Sequence, residues 1–104
     1  MEVYVCYEEN NHDQAIQKGT ISDMAVLLFP DKAKEWFLER VKAGKEEGFF
    51  IDKENEMSRG DGDVNEEALA RNIREGYAEL ILFAGYQENW DESYSIIVQE
   101  MEAE

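Results

Sequence analysis

Few residues in this chain are of types that carry out chemistry, and their spacing limits them further. There is one histidine and one cysteine. His12 stands beside Asp13, a neighbour that can tune an imidazole for proton transfer, but Asn10 and Asn11 precede it, and such a run reads as a solvated turn. Cys6 lies in the apolar run Val3–Tyr7, where burial raises a thiol's pKa and leaves it inert. The two together fall short of a four-ligand zinc site, and a single cysteine forms no internal disulfide. Asp61, Asp63 and Asn65 have the one-three-five spacing of a calcium loop. Glu66 stands where that loop needs glycine, however, and Asn72 where it needs a bidentate glutamate, so the segment reads as a helix-capping turn. Arg59-Gly60-Asp61 spells an adhesion tripeptide in a chain that shows no secretory leader. There is no glycine-rich phosphate cradle and no nucleophile elbow, and paired carboxylates need a substrate cleft that a domain of this size seldom has. The expectation is a protein that is not an enzyme, with no cofactor, no metal and no catalytic residue.

Charge is the more informative property. Twenty-five acids oppose 10 bases, a formal net charge of -15. Every lysine and arginine lies between Lys18 and Arg74, so residues 1–17 and 75–104 carry acids alone. Direct binding to nucleic acid or to an anionic membrane requires clustered bases and is excluded on this count. If the first strand pairs near the C-terminal hairpin, the terminal carboxylates gather at one end or edge of a sheet. A single-sign field of that kind costs stability through self-repulsion, yet it speeds encounter with a basic partner. The competing reading is that the acids provide solubility and protect edge strands. Trp90, set among Glu88, Asn89, Asp91 and Glu92, is an interface anchor on the first reading. On the second it packs back on Tyr86 or Tyr94.

These residues need elements to position them. The chain has 104 residues, 43% hydrophobic and 12% aromatic, which suits a single domain spanning 1–104 with one modest core. Val3–Tyr7 reads as a buried strand, followed by a loop that begins with Glu8 and Glu9. Ile21–Phe29 fits a strand better than a short helix capped by Ser22. Pro30 and Asp31 open a helix, Asp31 as its cap, with Ala33, Trp36, Phe37, Arg40 and Val41 on one side, ended by Gly44 or Gly48. Phe49–Ile51 is a short strand, and 53–63 an exposed, mobile loop. A second helix starts near Asn65, with a Val64–Leu69 staple and an inward stripe of Leu69, Ile73, Tyr77 and Leu80. Strands over 80–86 and 94–101 flank a polar hairpin loop at 87–93. The sum is an α+β fold: one two-layer domain, an antiparallel sheet of four or five strands, and two helices on one face.

In its size, acidity, single α+β domain and lack of a catalytic set, the chain resembles the small acidic inhibitors encoded by phages and mobile elements, anti-CRISPR proteins and DNA mimics among them. The resemblance implies a cytoplasmic, non-enzymatic inhibitor whose carboxylates stand in for phosphates in the groove of a basic, nucleic-acid-binding effector. Carboxylates on alternate strand residues, roughly 6.5–7 Å apart, are suited to that imitation. The residues expected to meet the partner are Glu88, Trp90, Asp91 and Glu92, with Glu8 and Glu9 in support. The alternative is a structural or regulatory module that forms a homodimer through a sheet edge or the Trp36/Phe37 helix face.

Overall fold

A computed structural model describes residues 2–10, 21–84 and 89–102, with the backbone alone at 10, 21–23 and 89–92. The expectations for His12, Asp13 and Glu88 fall outside the described residues. Five strands, β1 (Glu2–Asn10), β2 (Ile21–Leu27), β3 (Phe49–Ile51), β4 (Tyr77–Ala84) and β5 (Asn89–Glu102), form one sheet in the order β2-β1-β5-β4-β3, every pair antiparallel. Two helices, α1 (Pro30–Glu46) and α2 (Glu66–Arg74), cover one of its faces, giving the expected α+β two-layer domain.

Alternation along the strands decides which residues meet the helices. Tyr4 and Cys6 on β1, Leu80 and Leu82 on β4, and Ile96 and Val98 on β5 are all buried beneath Ala33, Phe37, Val41, Ala68, Leu69 and Ile73. Each large side chain sealed in this way contributes about 1.5–3 kcal/mol of transfer free energy. The register confirms the shared face, since Cys6 stands opposite Val98 and Ala78 opposite Val98 from the other side.

The helix termini differ from expectation in instructive ways. Pro30 is the first residue of α1, but the cap position belongs to Phe29, which makes no side-chain capping bond. Asp31 sits inside the first turn, where its charge complements the helix dipole. Gly48, at φ 95°, follows the end of α1, whereas Gly44 lies within it. A Cβ on Gly44 would collide with the Tyr94 hydroxyl and come within 2.7 Å of Leu82 Cδ2, so glycine there lets α1 approach β5. Asn65 caps α2 as expected, its Oδ1 accepting from the Glu67 and Ala68 amides at 3.1 and 3.2 Å. That helix ends at Arg74, before the expected stripe is complete. Gly76 at φ 105° turns the chain out of the helix, and Tyr77 and Leu80 belong to β4. From Tyr77 to Leu82 burial alternates every second residue, so the sheet period prevails over the four-residue spacing that Tyr77 shares with Leu69 and Ile73 of α2.

The connection between β3 and α2 is exposed over Arg59–Asp63 but anchored at its middle. Met57 is buried, its carbonyl accepts from the Asn65 amide at 2.7 Å, and Asn55 Nδ2 donates to the Glu79 carbonyl at 3.0 Å.

Candidate functional site

The two base-free ends of the chain lie side by side. β1 pairs with β5 from Glu2 opposite Glu102 to Asn10 opposite Tyr94. Because the ends form the middle of the sheet, charge separates by layer. The strand residues include Glu2, Glu8, Glu9, Asp23, Glu79, Asp91, Glu92, Glu100 and Glu102, and not one lysine or arginine. Every base among the described residues sits on α1, on α2 or in the 52–65 connection. The acids do not gather at one end, as the sequence suggested. They spread along the whole β1–β5 ladder, whose eight residue steps span roughly 27 Å at ~3.4 Å each, and strand alternation distributes them over both faces.

The supporting pair Glu8 and Glu9 illustrates this. Both lie inside β1 and not in a loop beyond it, so they point to opposite faces. Glu8 faces the helices and is 8% exposed. Arg40 on α1 reaches it through two nitrogens, Nε to Oε2 at 3.1 Å and Nη2 to Oε1 at 3.4 Å. This paired, buried carboxylate is part of the structure's interior. Tyr94 lies close by; burial first, and then the charges of Glu8 and Glu47, hold its phenol well above the ordinary range, while Arg40 pulls the other way. Its ring meets Phe49 edge-on at 5.0 Å.

Glu9 lies on the face without helices, together with Glu79, Tyr7 and Tyr77. The Tyr77 hydroxyl donates to Glu79 Oε1 at 2.9 Å. Desolvation, helped by that bond and by the charges of Glu79 and Glu9, pushes the Tyr77 phenol up to about 12. Burial first, and then the charges of Glu9 and Glu79, raise Tyr7. Both phenols are therefore neutral donors at physiological pH. At the other end of the ladder Glu2 and Glu102 are directly opposed and Glu100 follows one alternation along. The Glu100 carboxyl is held above its ordinary value by desolvation and then by the charge and hydrogen bond of Glu2. Among the described residues, Glu8 is the strand carboxylate that has an ion-pair partner; the remaining pairs join helix and loop residues.

The expected hairpin loop is shorter than 87–93, because β5 already begins at Asn89. The register with β4 jumps from Phe83 opposite Ser93 to Ala84 opposite Asn89. Trp90, Asp91 and Glu92 therefore occupy an irregular stretch with no Cα partner on β4, the kind of bulge that redirects side chains at the end of a sheet. Their backbone lies at the Asn10 end of the β1–β5 ladder, the end at which Glu8 and Glu9 also stand.

Among the described residues, the groups singled out for chemistry are engaged in the fold. The Cys6 thiol is fully buried, donates weakly to the Tyr4 carbonyl at 3.6 Å and is pushed up to about 11 by burial. Asp61 and Asp63 accept from the Asp63 and Val64 amides and pair with Arg59 and Lys45, which accounts for the calcium-like spacing as turn chemistry. Among the described residues no group of three or more acids, histidines or cysteines is placed to hold a metal ion, and no helix is long and apolar enough to cross a membrane. Sequence reasoning passed over Met24 and Val26 on β2, Met101 on β5, and Tyr77 and Glu79 on β4, all set on the sheet face opposite α1 and α2. Their alternation was the available signal. No protein-family model matches the chain, and neither a curated protein nor a solved structure matches it.

Proposed function

We propose that this is a non-enzymatic, acidic binding protein that inhibits a basic, nucleic-acid-handling partner by occupying its phosphate-binding surface, as anti-CRISPR proteins and DNA mimics do. The observation that supports this reading is the pairing of β1 with β5, which joins the base-free ends into a sheet layer carrying carboxylates and no base. A sheet layer that carries acids and no base suits a groove built to follow a nucleic-acid backbone, where bases recur at short intervals. Asp91 and Glu92 at the bulge, with Glu9 on the neighbouring strand, are the acids of that layer assigned to the groove. Glu8 acts differently from the sequence-based expectation, holding α1 to the sheet through Arg40. The alternative is self-association through a sheet edge or the Trp36/Phe37 helix face: β2 and β3 are the edge strands it would use, and of the helix pair Phe37 is fully buried.

Affinity capture from a lysate of cells that express the protein naturally tests the reading. A decoy should retain its partner at low salt and release it by about tenfold or more at several hundred millimolar, because screening removes the long-range attraction. Duplex DNA should compete for the same partner, and a triple variant Glu9→Lys, Asp91→Lys, Glu92→Lys should fail to retain it. A partner indifferent to salt and to DNA would defeat the proposal.

A further inference from the structure

The sheet face turned away from the helices is divided. Phe83 on β4 and Ser93, Ser95 and Ile97 on β5 are 2–3% exposed, while Phe50 on the β3 edge, opposite Phe83, is exposed. Toward the β2 edge and the Glu2–Glu102 end the same face carries large apolar side chains in the open: Met24 at 59%, Val26 at 58%, Met101 at 49% and Tyr77 at 48%. They form one patch, since Val5 stands between Val26 and Gln99, Gln99 is opposite Tyr77, and Val3 is opposite Met101. Directly opposed residues on one face have Cβ atoms about 4.5–5.5 Å apart. A contiguous apolar patch bordered by polar groups is the usual mark of a protein contact surface.

Its border identifies the partner's chemistry. Glu9 and Glu79 flank the patch, no strand carries a base, and Glu9 has no ion-pair partner among the described residues. A second copy packing face to face would present the same acidic surface, and its strands carry no base to set against Glu9 and Glu79. An anionic membrane surface would meet the same repulsion. What complements the patch is a protein surface with apolar side chains at its centre and lysine or arginine facing Glu9 and Glu79.

We infer that this helix-free face is a docking surface for another protein whose contact region places lysines or arginines beside apolar side chains. The inference shares with the proposed function the expectation of a basic partner, but it assigns the contact to Met24, Val26, Tyr77 and Met101 instead of the hairpin.

Site-specific photocrosslinking tests it on the full chain. p-Benzoylphenylalanine replaces, one at a time, Val26, Met101, Trp90 in the bulge, and Glu35 on the opposite layer, and adducts formed in lysate are mapped by peptide mass spectrometry. Expected are adducts from positions 26 and 101, and not 35, to one protein, at peptides in which lysine or arginine adjoins apolar residues. Met24→Lys and Val26→Lys variants, checked for native circular dichroism, should lose that capture at least tenfold. Adducts only to a second copy, only to lipid, only to base-free peptides, or none at 26 and 101, would overturn the docking surface. Capture through position 90 alone would overturn it while leaving the decoy reading intact. Capture through 26 and 101 that duplex DNA fails to compete would uphold the surface and remove the decoy.

Discussion

Glu8 and Glu9 are chain neighbours with opposite environments, and the strand period alone separates them. Glu9 stays on the open face, while Glu8 enters the core and must be neutralised there. Arg40 meets it with a side chain one-third exposed, so the guanidinium stays partly hydrated while the carboxylate, 11% exposed, does not. Without the pair, Arg40 could still be hydrated where it stands and Glu8 much less so. Replacing Arg40 by Met keeps the aliphatic stem and removes the charge, and it should destabilise the fold by about 1.5–3 kcal/mol, the range for losing a hydrogen bond to a charged group. Adding Glu8→Gln to Arg40→Met should recover part of that loss. Chemical denaturation of the two single variants and the double variant measures the coupling. Additive effects would show that the bond between Arg40 and Glu8 contributes nothing of its own.

At the scale of elements, α1 was legible from its proline start and its three- and four-residue spacing, because an amphipathic helix on a sheet leaves a periodic trace. The β1 and β3 runs were legible as dense β-branched and aromatic segments. The boundary between α2 and β4 was hidden, since Leu69, Ile73 and Tyr77 continue a helical stripe until a positive-φ glycine interrupts it. The bulge at Trp90–Glu92 and the tertiary pair Glu8–Arg40 left no local trace, because both depend on which strands lie side by side. Gly44 is a related case: in the sequence it reads as a helix terminator, yet it is an interior residue that admits Tyr94. Gly44→Ala would ordinarily stabilise a helix by about 1 kcal/mol through propensity. Here the added methyl must displace the Tyr94 ring or push α1 from the sheet, and overpacking of that kind costs about 1–3 kcal/mol. The variant should therefore melt at a lower temperature than the parent. Gly44→Ala combined with Tyr94→Phe, which removes the hydroxyl in the way, should regain part of the loss; a higher melting temperature for Gly44→Ala alone would contradict the close approach.

Across the whole molecule, charge segregated by layer opposes folding, because forming the sheet brings together carboxylates that the unfolded chain keeps apart. The effect is most explicit at Glu100, where desolvation and Glu2 hold the carboxyl above its ordinary value of 4.5. A carboxyl raised in the folded state binds its proton more readily there than in the unfolded chain. Stability therefore increases as pH falls through the raised folded value toward the ordinary one, is complete below it, and is absent at neutral pH. Glu100→Gln fixes the neutral state at every pH. At low ionic strength this variant should melt above the parent at pH 7, the difference should vanish near pH 4, and added salt should shrink it at pH 7 by screening Glu2. Thermal melts of both proteins at the two pH values, with and without 0.5 M sodium chloride, measure all three effects. A difference equal at pH 7 and pH 4 would mean that Glu100 acts through packing and not through charge. The repulsion would then have to lie elsewhere along the β1–β5 ladder, with Glu2→Gln and Glu102→Gln as the variants to compare.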